Sequence, residues 1–223
     1  MSEAPSLTVT ESGASASSAA QAAAAEREAT THPEYENAVI GLQRALEERC
    51  EKARQNSSLD PGQRHDAIRD HWHEATEAYG QLREYYEGQL QAGVEEREND
   101  LFKVEHHSRS DVRDAYEIVY SATRGFDSGS REGMEQAREE LGRYAERARR
   151  TGDKALQTAV GHIAIERGIA DLRDAYLSAS KERTRNWELY NRARIKQDSF
   201  QKLRLTIAAG GSFSLVMPAE LRS

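Results

Sequence analysis

The chain has 223 residues, of which 31% are charged, 37% apolar and only 7% aromatic, with a formal net charge of -7. Ordinary globular chains carry about 25% charged and about 45–50% apolar residues, so this composition excludes a thick α/β core and favours long helices with narrow apolar stripes. No run reaches the ~18 apolar residues of a membrane span. The N-terminus lacks the basic start and apolar stretch of a secretory signal, and the single Cys50 excludes an intrachain disulfide or multi-cysteine metal site.

Residues 1–31 are Ser, Ala, Thr and Glu with almost no large apolar group, which predicts a disordered tail. Order is expected from Thr31-His32-Pro33-Glu34, where proline suits a first helical turn and acids follow it. Tyr35, Val39, Leu42, Leu46, Cys50 and Ala53 then recur in helical steps. After the turn at Asn56–Gly62, with Asp60 as N-cap, Ile68, Trp72, Ala75, Tyr79, Leu82 and Tyr86 form a heptad-like seam. This second helix is expected to run to about Glu105, with a phase shift near Gly88–Gly93. His106-His107-Ser108 marks a break, and a short helix follows with Val112, Tyr116 and Val119. A fourth carries Met134, Ala137, Leu141 and Ala148. Beyond Gly152-Asp153 the residues Leu156, Val160 and Ile163 begin another, which Gly168 either kinks or ends. Ile169, Leu172, Tyr176, Trp187, Tyr190 and Ile195 carry the pattern toward Ser199.

The end of the chain changes period. Leu203, Leu205 and Ile207 alternate with polar residues, Gly210-Gly211 follows, and Phe213 and Leu215 alternate again. Two such runs around a Gly-Gly pair predict a β-hairpin. The expected fold is therefore all-α: an elongated, antiparallel, coiled-coil-like bundle over 32–199, a disordered tail over 1–31, and a small hairpin and tail over 200–223. An isolated hairpin is marginal in water, so Leu203, Leu205, Ile207, Phe213 and Leu215 are the expected partner-binding residues. One internal echo is present: Asp111-Val-Arg-Asp-Ala-Tyr116 recurs as Asp171-Leu-Arg-Asp-Ala-Tyr176, either a decayed duplication or coincidence.

The densest polar cluster is Arg64–Glu74. Asp66, Asp70 and His73 or Glu74 share one helix face and have the chemistry of metal ligands, but no second set completes a shell, and a solvated face is the simpler reading. Arg64 and His71 have six residues between them, a spacing that resembles the Arg-x(4–6)-His motif of HEPN ribonucleases. That resemblance implies RNA cleavage and forms the enzymatic alternative. His107 at the helix break reads as a capped turn, His162 as a packing residue, and Cys50 as a small hydrophobe. Two basic patches, Arg143–Arg150 and Lys181–Lys196, read as solvated helix faces, because an acidic chain repels nucleic acid at long range.

The stretch Ala148-Arg-Arg-Thr-Gly-Asp-Lys-Ala-Leu-Gln-Thr-Ala159, then Ala175-Tyr-Leu, Trp187-Glu-Leu-Tyr190 and Phe213-Ser-Leu-Val-Met-Pro-Ala-Glu-Leu221, resembles uncharacterised helical proteins encoded among the virion structural genes of actinobacterial phages and prophages. The resemblance covers about the C-terminal third and implies a role in capsid or tail assembly. The expected function is thus a non-enzymatic structural or assembly protein without cofactor or metal. It would be cytoplasmic or in a virion, homo-oligomeric, and bound to an assembly partner. A cytoplasmic adaptor unrelated to phage is the remaining reading.

Overall fold

A computed structural model describes residues 30–104, 107–127, 129–208 and 214–222. Among these residues there are seven α-helices and no strand: α1 (Pro33–Gln55), α2 (Pro61–Leu101), α3 (Arg109–Thr123), α4 (Arg131–Thr151), α5 (Lys154–Glu166), α6 (Ala170–Ser178) and α7 (Lys181–Ala208), followed by a short 3-10 turn at Ala219–Leu221. The all-α expectation holds. The tail expected to be disordered lies outside the described residues, apart from Thr30 and Thr31.

Local capping explains most helix starts. Pro33 opens α1 with Glu34 and Glu36 behind it, and Lys52 and Arg54 close it, both arrangements favouring the helix dipole. Asp60 and Gln63 form a reciprocal cap at the start of α2, with hydrogen bonds of 3.0 and 2.9 Å. Ser108 and Asp111 make the same box at α3, and Ser130 and Asp153 cap α4 and α5. Gly168, at φ +70°, ends α5 rather than kinking it, because the left-handed backbone there costs a residue with a Cβ more. The helix expected to reach Glu105 stops at Leu101. There the Tyr176 hydroxyl donates to the Leu101 carbonyl (3.2 Å) and the Asn186 amide to the Asp100 carbonyl (3.1 Å), satisfying terminal acceptors that would otherwise lack a donor.

The chain divides into two compact units, Met1–Gly93 with Arg192–Ser223, and Val94–Asn191. In the first, Tyr35, Val39, Tyr86 and Phe200 form one buried cluster, and Leu46, Cys50, Ala53 and Ile68 another. His32, just before α1, is buried among the aromatics, with Nδ1 3.2 Å from the Tyr86 hydroxyl and Nε2 2.8 Å from the Ser199 hydroxyl. In the second unit α5 is the central helix, buried on nearly every side, with α3, α4 and α6 packed around it. A helix apolar all round belongs in an interior, and Val119, Leu141, Leu156, Val160 and Ile163 make that core.

The C-terminal β-hairpin is not formed. Residues 200–208 continue α7 without a break, and 214–218 have no strand partner among the described residues. Lys202–Ile207 does alternate, but Phe200, Leu203 and Ile207 also stand at helical steps of three and four. Phe200 is fully buried and Leu203 packs beside it, whereas Leu205 is 69% exposed. A helix already propagating from Lys181 adds one hydrogen bond per residue, and Gln, Lys, Leu and Arg all favour it. Burial of Phe200 settles the period.

Candidate functional site

A cavity of about 610 Å³ lies in the second unit and is lined by Glu98, Phe102, Lys103, Arg113, Tyr116 and His162 among others. Its wall is an aromatic ladder. The His162 imidazole on α5 stacks on Phe102 with centroids 3.8 Å apart, Tyr116 from α3 lies 5.0 Å away, and Phe102 in turn faces Tyr176 of α6 at 6.3 Å. Arg183 of α7 sits 4.4 Å over the Tyr176 ring. The two tyrosines of the sequence echo therefore end on the same ladder.

The polar atoms of this ladder are paired with one another. His162 Nε2 lies 3.3 Å from Glu98 and 3.5 Å from Glu166, and the Tyr116 hydroxyl donates to Glu166 at 2.8 Å. Burial pushes the His162 imidazole below the ordinary histidine range, against the opposing pull of Glu166 and Glu98. Burial, followed by the hydrogen bond to Glu166, raises the Tyr116 phenol. The arrangement stacks the imidazole on Phe102, with the Tyr116 ring tilted at 51° beside it. Among the described residues no group of three or more His, Cys, Asp or Glu side chains is placed to hold a metal ion.

α5 reaches this ladder because Gly161 has no side chain. A Cβ there would lie 2.3 Å from Tyr176 Cγ, so the tyrosine ring rests directly on the helix backbone. The packing role expected for His162 is retained, and its two carboxylate neighbours are added. The step from His162 to Glu166 is an i, i+4 pair visible in the sequence. Glu98 comes from another helix and left no local signal.

The other candidate residues are dispersed. Arg64 Nε donates to the Leu59 carbonyl at 3.0 Å, tying down its own turn. His71 lines a shallow depression with Arg49, Asn56 and Leu59, of which Arg64 is not part. Arg69 pairs with Asp66 (3.0 Å) and Asp70 (3.8 Å), and Glu74 with Arg49 (2.7 Å), all exposed. In the first basic patch, Arg143 bonds Glu139 and Glu140, and Arg149 and Arg150 share Glu146. Cys50 is buried in an apolar cluster, which raises its thiol pKa. Of the five residues expected to bind a partner, Leu203 packs inward, Leu205 is exposed and Leu215 is half-buried. Ile207 lies in α7 with its side chain outside the described set, and Phe213 lies outside the described residues.

A second surface was not anticipated. Beyond Leu215 the chain returns along α1 in an extended course, with Pro218 at φ -52°, ψ 144°. The Val216 amide donates to the Gln43 side-chain carbonyl at 2.9 Å. Arg54 donates twice to the Glu220 carboxylate, at 2.5 and 3.0 Å, a bidentate pair. These hydrogen bonds hold the Glu220 carboxyl down at about 2. Leu221 drops into the cluster of Leu46, Cys50, Ala53 and Ile68. Val216 and Met217 remain 53% and 39% exposed above the seat. Arg54 and Glu220 are 166 positions apart, so nothing local could have announced the pair.

No family model matches the chain, no curated protein matches it, and no solved structure matches it. No helix among the described residues is long and apolar enough to cross a membrane.

Proposed function

We propose that this chain is a non-enzymatic association protein, a structural or assembly component that recognises extended protein segments on the face of α1. The supporting observation is the seating of its own residues Val216–Leu221. One main-chain amide is read by Gln43, one carboxylate is clamped by Arg54, and one half-buried leucine packs against the Leu46–Cys50 cluster. Main-chain contacts with alternate side chains placed in pockets or ion pairs are the usual chemistry of peptide recognition. The large cavity lends less support to catalysis, because His162, Glu98, Glu166 and Tyr116 already engage one another. A phage virion, or the host cytoplasm where a virion assembles, is the setting this reading takes from the sequence resemblance, and self-association through helical seams is what it takes from the apolar periodicity.

The test is direct. A chain ending at Phe213 should keep its helical circular dichroism and bind a labelled peptide of Ser214–Ser223 saturably in fluorescence anisotropy. Arg54→Glu should weaken binding, and so should added salt, since the ion pair is partly exposed. An intact helical chain that ignores the peptide would end this reading.

A further inference from the structure

We propose that the segment Ser214–Arg222 exchanges between two copies of this chain, each copy seating its segment on α1 of the other. The inference rests on the peptide-recognition reading above and names the partner. Gln43, Arg54 and the Leu46–Cys50 cluster hold the segment through α1, not through α7, the helix it follows in sequence. Apart from the single turn at Ala219–Leu221, the segment carries no regular structure. Its transfer to another copy therefore breaks no helix and re-forms the same three contacts.

Five residues, Ala209 to Phe213, join α7 to the segment. Five residues reach at most about 18 Å. Exchange of an identical terminal element between two copies of a chain is a low-cost route to a dimer. The seat matches this chain's own sequence in charge, Arg54 against Glu220, and in apolar fit, Leu221 against Leu46 and Ile68. Every copy carries both seat and segment, so reciprocal exchange closes as a two-fold dimer with nothing left over. The exposed Val216 and Met217 lie on the segment itself.

Charge reversal on the full chain tests this. In Arg54→Glu the seat and segment are both acidic at the pair, and in Glu220→Arg both are basic, so each variant alone repels its own segment and that of its twin. Mixed, they are complementary in trans twice over. The acidic seat of the first variant receives the basic segment of the second, and the unchanged Arg54 of the second receives the unchanged Glu220 of the first. Each variant alone should sediment mainly as a 25.0 kDa species. The equimolar mixture should hold roughly tenfold more heterodimer than either variant holds homodimer, two repulsive pairs having become two attractive ones. Native mass spectrometry identifies the mixed species. The double variant, with both changes in one chain, should recover wild-type association.

A mixture that stays as two monomers, with native circular dichroism in both, overturns the exchange. So does equal dimerisation by the wild type, both variants and a chain ending at Phe213, since the interface would then lie elsewhere. If the isolated peptide binds the truncated chain but the mixture remains monomeric, exchange alone fails and peptide recognition stands. If neither occurs, both fail.

Discussion

Replacing Gly161 with alanine should destabilise the unit formed by Val94–Asn191, although alanine is the better helix former. The new Cβ would lie 2.3 Å from Tyr176 Cγ and 2.5 Å from Cδ2, so the ring must move by more than an ångström. It has little freedom to do so. The hydroxyl is bonded to the Leu101 carbonyl, Arg183 covers the ring at 4.4 Å, and Phe102 faces it. Two effects oppose. Alanine gains about 0.8–1 kcal/mol over glycine in a helix interior, while overpacking costs about 1–3 kcal/mol, and a broken hydrogen bond adds about 1 kcal/mol. The net expectation is a loss of about 1–3 kcal/mol, read from urea unfolding followed by circular dichroism. If the clash is the cause, Gly161→Ala and Tyr176→Leu should not add. The double variant should be more stable than the sum of the two losses by about 1 kcal/mol or more. Gly161→Ala at or above wild-type stability, or strict additivity, would refute the close-approach argument.

Phe200→Ala should cost about 3–5 kcal/mol, because it empties the centre of the Tyr35–Val39–Tyr86 cluster. Accordingly, truncation at residue 199 should lose helical signal, whereas truncation after Phe213 should not. His32 is held neutral: burial, then Lys196, lowers its pKa. A lowered folded pKa means that its contribution is complete above the unfolded value of about 6.5 and is lost as pH falls through the folded one. Wild-type stability should therefore fall on acidification below about pH 6.5 more steeply than that of His32→Gln, in parallel urea titrations. His71→Ala should shift stability by only a few tenths of a kcal/mol, as for other sites away from a tight core. RNA cleavage by the purified chain that this change abolishes would overturn the non-enzymatic reading.

Where helices begin was legible in the sequence because capping is local chemistry. Pro33, Asp60 and Ser108 act within three or four residues of themselves and announce their helices, while Ser130 and Asp153 cap by the same local rule at positions the sequence marks only as turns. The apolar stripes were legible for the same reason: Tyr35, Val39, Leu46 and Cys50 are buried where a helical period puts them. By itself, then, the sequence determined the helical class and most helix starts. Tertiary structure decided the rest. Lys202–Ile207 satisfies a strand period and a helix period equally, and only the packing of Phe200 against Tyr35 and Tyr86, far away in the chain, selects the helix. The end of α2 depends on Tyr176 and Asn186 reaching back to its last carbonyls. The pairing of Glu98 with His162, and of Arg54 with Glu220, joins residues 64 and 166 positions apart. Coulomb attraction and burial act through space, so side chains that no periodicity relates become neighbours only once the helices have packed.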